Sequence, residues 1–487
     1  MKPAGLDLAR VALKYRRTKI VATLGPASSA AETLDALIRA GVDLFRLNFS
    51  HGSHESHAEA YRRAREAAER AGKPVAILAD LCGPKIRVGR FAGGSIDLVA
   101  DSEVDVTTEP GAQGLPGLIP SEYDALAHDA RPGDRILLDD GKLELRVLRT
   151  APPRIRCLVV QGGRLSDRKG MNLPGVAVSA PALTEKDRAD AEFAAGLGVD
   201  FMALSFVRRP SDVHDLRGFL RAGGWDTPIV SKIEKPEALE SIGEILEASD
   251  GVMVARGDLG VEMPAEEVPL IQQELIRLCI DSNRPVIVAT QMLESMIENS
   301  RPTRAEVTDV AAAALAGADA VMLSGETASG KHPVAAVETM NRVLRLIEGW
   351  QWKHGQFGQI IDWAGRPEGL VDDALSRATS GLSRDLRVRG VIVPTSSGRT
   401  AREVSSERPA APIVAAVRTP ELMRRLALCW GVLPRVQPAS AFDDLPELAQ
   451  RLARELDLAR SGDHILLVWD ASSGRTGEAP TVTVLKV

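Results

Sequence analysis

Short, nearly continuous apolar runs alternate with amphipathic stretches along the first two thirds of the chain. The runs cover residues 19–24, 44–49, 75–80, 201–206, 228–233, 251–256, 286–290 and 320–324. A strand that is apolar on both faces is buried on both faces, as in a parallel sheet covered by helices. The stretches between them, among them 30–40, 57–71, 189–196, 268–282 and 304–316, repeat apolar residues at helical spacing. Several stop at Gly41, Gly72 or Gly317, where glycine can take the left-handed turn that ends a helix. Eight βα units of this kind predict an α/β fold, a closed (β/α)8 TIM barrel. The competing arrangement is a doubly wound open sheet, but the first turn, Gly25-Pro26-Ala27-Ser28, lacks the glycine spacing of a dinucleotide crossover.

Two stretches break the alternation. Roughly 120 residues separate the third run from the fourth, far more than a βα loop needs. They read as short alternating strands (103–107, 135–138, 143–147, 155–160) punctuated by Gly and Pro, hence an inserted all-β domain over 88–181. An insertion after a barrel strand overhangs the C-terminal rim and can serve as a lid. After the last barrel helix, 349–369 is rich in Trp, Gln and Gly, has no period and reads as a linker. Beyond it, helices at 372–386, 400–407 and 420–428 and strands at 390–393, 413–416 and 464–469 predict a C-terminal α/β domain. Residues 111–117 and 439–446 read as loops. The expected order is an N-terminal segment 1–17, barrel 18–87, lid 88–181, barrel 182–348, linker 349–369 and C-terminal domain 370–487.

Composition excludes several function classes. Net charge is -6 and aromatics are 4% of the 487 residues. No basic stripe and no supply of stacking rings argue for nucleic acid as a partner. No apolar run reaches the length of a membrane span. Residues 1–17 carry Arg10, Lys14, Arg16 and Arg17 but no apolar core of a secretory signal. Cys82, Cys157, Cys279 and Cys429 are scattered and read as free thiols, so the expected compartment is a reducing cytoplasm.

Candidate chemistry lies at the ends of the predicted barrel strands, which a parallel barrel gathers on one rim. Ser231-Lys232-Ile233-Glu234 closes one strand and Ala255-Arg256-Gly257-Asp258 the next. Glu234 and Asp258 can therefore converge, with the ammonium of Lys232 beside them. Two hard carboxylate ligands with open positions suit Mg²⁺, and a nearby ammonium suits a transferring phosphoryl group. An ordinary surface ion pair uses the same residue types. Arg46, Asn48, Ser50, Asp80, Ser205, Thr290, Ser324 and Glu326 fall at the same position in other units. Polarity repeated at so many strand ends is a functional pattern rather than loop polarity.

Three other motifs are less specific. The run from Gly325 to His332 approximates a P-loop, but His332 stands where the metal-binding hydroxyl belongs, and it reads as a βα loop. His51, His54 and His57 form either a metal cluster or a polar helix start. Thr395-Ser396-Ser397-Gly398-Arg399-Thr400 follows a strand and opens a helix, so it is either a phosphate cradle or an ordinary N-cap.

In order, these residues resemble the pyruvate kinase family over nearly the whole chain. The matching stretches run Thr18-Lys19-Ile20-Val21-Ala22-Thr23-Leu24-Gly25-Pro26-Ala27-Ser28, Arg46-Leu47-Asn48-Phe49-Ser50-His51-Gly52 and Gly83-Pro84-Lys85-Ile86-Arg87. They continue with Lys169-Gly170-Met171-Asn172-Leu173-Pro174-Gly175, Ser231-Lys232-Ile233-Glu234, Ala255-Arg256-Gly257-Asp258-Leu259-Gly260, Ala289-Thr290-Gln291-Met292-Leu293-Glu294-Ser295-Met296 and Leu323-Ser324-Gly325-Glu326-Thr327-Ala328. The resemblance implies phosphoryl transfer from phosphoenolpyruvate to ADP by a homotetramer of barrel, lid and C-terminal domains. It implies Lys232 and Arg46 at the phosphoryl group, Glu234 and Asp258 on Mg²⁺ (or Mn²⁺), and Gly257, Asp258 and Thr290 at the substrate carboxylate. Thr290, through water, with Ser324 and Glu326 nearby, is implied in protonating the enolate. Arg87, Lys169, Asn48, His51 and Pro26 are implied at the nucleotide, and the loop 395–400 at a phosphorylated effector. The run 469–477 departs from the family's glycine-rich effector loop.

K⁺-dependent members of the family hold that ion with an Asn, a Ser, an Asp and a backbone carbonyl, here matched by Asn48, Ser50, Asp80 and Leu81. They carry Glu in the Gly-Pro-x-Ile-Arg segment, whereas this chain carries Lys85, with Leu81 and Val88 in place of threonines. It thus resembles the K⁺-independent branch, with the ammonium of Lys85 close to Asp80 standing in for K⁺. Two readings of other classes stand beside this one. A metal-dependent aldolase or lyase on a related barrel would use the same two carboxylates without the lid, and a silent regulatory protein would have lost Lys232 or a ligand.

Overall fold

The computed structural model describes residues 13–176, 178–357, 371–469 and 480–487. Its centre is a closed barrel of eight parallel strands. They are β1 (Lys19–Thr23), β2 (Leu44–Asn48), β3 (Ala76–Asp80), β4 (Phe201–Leu204), β5 (Ile229–Ile233), β6 (Gly251–Ala255), β7 (Val286–Ala289) and β8 (Ala320–Leu323). Each pairs with its neighbours in chain order, and β1 closes the ring against β8. Successive side chains point to opposite faces of a strand. Val21, Leu78, Ala203, Val230, Met253 and Ile287 therefore fill the barrel interior, while Ile20, Ile77, Met202, Ile229, Val252 and Val286 pack under the surrounding helices. Apolar residues at every position of these strands satisfy both layers.

Between β3 and β4 the chain leaves the barrel. It forms a six-stranded sheet around Leu143–Ala151 and Arg154–Gln161, beside a two-stranded sheet pairing Ser95–Leu98 with Gly163–Ser166. This part has its own core, including Val106, Ile119, Leu126, Ile136 and Val159. The C-terminal part is a five-stranded sheet. Val432–Val436, Ile413–Val417, Val391–Pro394 and His464–Trp469 run parallel, and Thr481–Lys486 adds an antiparallel edge.

Three expectations need correction. The helix after β8 runs Pro333–Lys353, so 349–353 are its last turns rather than linker; Gly349 and Gln351 are buried on its inner face. The remainder of the expected linker, 358–369, lies outside the described residues, as does 470–477 of the atypical C-terminal run. Residues 439–446 are not a plain loop: a short 3-10 turn, Ala439–Phe442, leads into the helix Leu445–Glu455, whose first amides are capped by Asp444. The strands Val432–Val436 and Thr481–Lys486 were not expected. The first is interrupted by Pro434, which an edge position tolerates, and the second is half exposed.

Buried carboxylates fasten the barrel floor to the C-terminal domain. Asp319 accepts from the Trp430 amide at 2.9 Å, from Arg408 at 2.9 Å and from the Val286 amide at 3.2 Å. Asp200 accepts from the Ile77 amide at 2.8 Å and from Arg65 and Arg424 at 2.7 Å each. Glu348 accepts from the amides of Arg17 and Thr18, both at 2.7 Å. Asp319→Ala leaves a buried guanidinium and two amides without their acceptor. We expect it to cost about 3–5 kcal/mol, read as a lowered urea midpoint of the C-terminal domain with the lid transition unchanged.

Candidate active site

The site grows from the C-terminal ends of β2, β3 and β5. Asp80, at the end of β3, is almost wholly buried, and both its oxygens face cations. Arg46 Nε donates to Oδ2 at 2.6 Å, and Lys232 Nζ lies 3.3 Å from Oδ1. Burial alone would push the Asp80 carboxyl up, but the ammonium of Lys232 and the guanidinium of Arg46 outweigh it and hold it below its ordinary value. Lys232 also donates to Ser205 Oγ at 2.6 Å and lies 3.0 Å from Glu234. Burial would lower its pKa, but Asp80 and Glu234 raise it, so the ammonium stays charged. Arg46 is steadied further by Thr23 Oγ1 at 3.2 Å.

Glu234 follows β5 and is buried; its Oε2 accepts from the Phe206 amide at 2.7 Å. Burial raises its carboxyl, and the nearby Asp258 carboxylate raises it further against the pull of Lys232. Asp258 sits in the first turn of Arg256–Glu262, directly after β6. Two carboxylates of like charge so close together fit a hard cation between them. Among the described residues no group of three or more His, Cys, Asp or Glu could hold a metal. Glu234 and Asp258 could hold such a cation only as a pair, with its other positions open.

Thr290 follows β7 with φ of 69°, a left-handed conformation that costs a β-branched residue energy. Arg256 holds that turn: its guanidinium donates to the Thr290 carbonyl at 2.6 Å and to the Ala289 carbonyl at 3.3 Å, and pairs with Asp309 at 2.6 Å. Thr290 Oγ1 accepts from the Gly257 amide at 2.7 Å, so these two proposed carboxylate contacts are neighbours and are bonded to each other. Glu326 is committed elsewhere: its oxygens accept from the amides of Leu293 at 3.1 Å and Ser324 at 2.7 Å, bracing the loops after β7 and β8.

Pro26, Asn48 and His51 line one cavity of about 640 Å³ with Leu24, Gly52 and Arg63. Burial, and then the fields of Arg87, Lys85 and Arg46, hold the His51 imidazole below its usual pKa. His57 lines the same cavity, and among the described residues the three histidines form no metal-holding group. His54 stacks on Phe193 and bonds Asp190 at 2.7 Å, and His57 stacks on Phe49 and bonds the His51 carbonyl at 2.8 Å. Arg87 donates to the Arg168 carbonyl at 3.1 Å, and Lys169 pairs with Asp139 at 2.8 Å across the lid. In the loop 395–400, Thr395 Oγ1 accepts from the Gly398 amide at 2.9 Å and Ser397 Oγ from the Arg399 amide at 3.3 Å. Those hydroxyls already cap two amides of the expected cradle.

The expected closeness of Lys85 to Asp80 is corrected. Asp80 is neutralised by Arg46 and Lys232, and Lys85 is exposed. The chain turns at Gly83, whose φ is 68° and whose amide donates to Asp187 at 3.0 Å, and carries Lys85 outward under the lid. There its Cε lies beside Gly170, next to Asp140. The Leu81 carbonyl, expected near a monovalent cation, accepts from Ser205 Oγ at 2.7 Å. Asn48 Oδ1 accepts from the Ser50 amide at 3.2 Å.

Sequence reasoning missed a polar tie at the lid hinge. Glu262 Oε1 accepts from Lys235 Nζ at 2.6 Å and from Asn172 Nδ2, on the lid, at 3.0 Å. The place of Lys235 directly after Glu234 was a signal; Glu262, within a helix, gave none. Further along the same return connection, the Arg208 guanidinium grips the carbonyls of Val178 and Ala180.

The family model described as pyruvate kinase, barrel domain, matches residues 15–337, and that described as pyruvate kinase, alpha/beta domain, matches 373–485. A pyruvate kinase of Mycobacterium tuberculosis is 43% identical over 476 residues, covering 97% of this chain and 98% of that one. One from Bacillus licheniformis is 44% identical over 478 residues, covering 97% of this chain and 80% of that one. Among solved structures, a pyruvate kinase from Cryptosporidium parvum superposes with a TM-score of 0.90 at 37% identity, over 97% of this chain and 96% of that one.

Asn172→Ala removes the lid's donor to Glu262. We expect hydrogen exchange of the hinge amides around 172–176 to rise about fivefold, the worth of one net hydrogen bond. Barrel amides should be unchanged. Equal exchange in the two proteins would mean that this bond does not restrain the lid.

Proposed function

Because the chain belongs to the pyruvate kinase family, we propose which of its residues carry the family's reaction and how. It is a phosphotransferase that moves a phosphoryl group from phosphoenolpyruvate to ADP, giving pyruvate and ATP, and it depends on a divalent metal.

The observation that carries the assignment is the Arg46–Asp80–Lys232 arrangement. One buried carboxylate holds two cations side by side at the rim, where three phosphoryl oxygens would arrive. A loose phosphoryl-transfer transition state spreads its charge over those oxygens, so fixed cations lower its energy without reorganising. Lys232 and Arg46 take that role. Glu234 and Asp258 would hold Mg²⁺ or Mn²⁺, which when bound would neutralise charge on substrate oxygens. The Gly257 amide and Thr290 Oγ1 exchange their mutual hydrogen bond for the substrate carboxylate, with the Asp258 amide beside them. Thr290, through a water, delivers the proton to the enolate, and Ser324 and Glu326 keep the adjoining loops in place. Pro26, Asn48 and His51 receive the adenosine end of the nucleotide, and Arg87 and Lys169 its phosphates as the lid closes. Closure excludes the water that would otherwise take the phosphoryl group.

An aldolase or lyase would also use two carboxylates on a metal, but Lys169 and the lid would have no task in it. The family assignment does not favour that reading. We further propose a homotetramer that answers a phosphorylated effector at Thr395, Ser396, Ser397, Gly398, Arg399 and Thr400 and works in the cytoplasm. Among the described residues no helix is long and apolar enough to cross a membrane.

Lys232→Met removes charge that matters chiefly in the transition state. We expect kcat in a lactate-dehydrogenase-coupled assay to fall by about three orders of magnitude or more, with KM for phosphoenolpyruvate changed little. Near-normal turnover would remove Lys232 from the mechanism.

We propose that K⁺ is not required. The charge of Asp80 is met by Arg46 and Lys232, and the exposed ammonium of Lys85 supplies a fixed cation under the lid. Activity with tetramethylammonium as the sole monovalent cation should be near full. Lys85→Glu should depress it and confer a response to K⁺. Strong activation of the unmodified enzyme by K⁺ at constant ionic strength would contradict this.

A further inference from the structure

At the end of the barrel opposite the catalytic rim, a cavity of about 190 Å³ lies between the barrel floor and the C-terminal domain. Arg217 and Arg284 line it from the barrel, and Ser397, Arg402 and Arg425 from the C-terminal domain. Against these four guanidinium groups stand the carboxylates of Asp226 and Asp250.

One of the two carboxylates is already spent. Asp250 pairs with Arg217 at 2.8 Å and accepts from the Ile229 amide at 2.9 Å. Arg425 donates to the Asp226 carbonyl at 2.8 Å, and Arg284 to the Leu246 carbonyl at 3.2 Å. The Arg402 side chain has no hydrogen bond or ion pair among the described residues. It folds back over Gly398, where an added Cβ would stand 3.3 Å from its Nη1. Burial holds the Arg284 guanidinium below its ordinary pKa, and the fields of Arg402 and Arg217 add to that.

Arginines converging from two domains on one concavity, one of them unpaired, form the donor set that grips a tetrahedral dianion through planar forks. We propose that this cavity is an anion site for a small phosphomonoester, bridging the barrel floor and the C-terminal domain. It shares Ser397 with the loop 395–400 but draws its cations from outside that loop, and it lies away from the catalytic rim. Its occupant ties the two domains together. By linkage, a ligand that favours one arrangement of the domains shifts affinity at the far rim. The binding itself does not rest on the proposed catalytic roles and is tested without turnover.

The test is calorimetric titration of the full chain with inorganic phosphate and with glycerol 3-phosphate, in the presence of phosphoenolpyruvate to fill the catalytic rim. Arg402→Gln and Arg284→Gln are each made in a Ser396→Glu background, whose like charge silences the loop 395–400, so that the binding left is that of the cavity. We expect both probes to bind in that background. Each arginine variant should weaken this remaining binding roughly tenfold to hundredfold. Arg402→Gln should melt no lower than the unmodified protein without ligand, since it removes a repelling charge and no bond. If Arg284→Gln fails to fold, Arg402→Gln decides. Unchanged affinity when Arg402→Gln is added, or no binding of either probe in the millimolar range in the Ser396→Glu background, would overturn the proposal.

Discussion

A single buried carboxylate organises the mouth of the barrel. Asp80 brings Arg46, from the neighbouring strand, and Lys232, from two strands away, into one polar cluster. Burying a charge is costly unless it is paired, and removing one partner leaves another charge stranded. The three groups therefore stand or fall together. Their mutual attraction fixes both cations before any substrate arrives. Ser205 extends the cluster by accepting from Lys232 and donating to the Leu81 carbonyl, which fixes the direction of the ammonium. The second cluster, Arg256 with the Thr290 turn, is built on the same logic: a guanidinium satisfies carbonyls that a strained backbone turns outward.

Much of this was legible in the chain. Continuous apolar runs such as 286–289 and 320–323 can be strands of a covered parallel barrel and little else. Once they are placed, Lys232, Glu234, Asp258 and Thr290 must share a rim. What stayed hidden depends on directions that spacing does not carry. Lys85 is five residues from Asp80, yet the turn at Gly83 sends it to the lid. Glu326 has the residue type of a catalytic acid, but its carboxylate points at the amides of Leu293 and Ser324. Glu262 lies in a helix and takes its partners, Lys235 and Asn172, from a strand end and the lid. The helix past Gly349 was hidden because its composition resembles a loop while its inner face is buried.

The same economy governs the connections between domains. In each, carboxylates collect amide, arginine, lysine or asparagine donors from another part of the chain. Asp200 and Asp319 hold the barrel floor to the C-terminal domain, and Glu262 and Asp129 hold the hinge of the lid. Such ties are directional and break as units, so a lid fastened by Asn172 and Arg208 can open as a body while the floor stays fixed.

The ring of strands also sets an order for synthesis. β1 pairs with β8, so the barrel cannot close until residues near 320 have left the ribosome. The segment at Arg17 and Thr18 waits longer still, because its amides bond Glu348 and the Arg17 carbonyl accepts from Gly431. The β insertion draws its core from 88 to 176 alone and needs nothing that comes later. It can be complete while half the barrel is unmade, since domains generally fold as units during synthesis. The first strands of the barrel, apolar on both faces, must meanwhile be kept from pairing elsewhere, and a folded insertion directly behind them is the first compact body the nascent chain has.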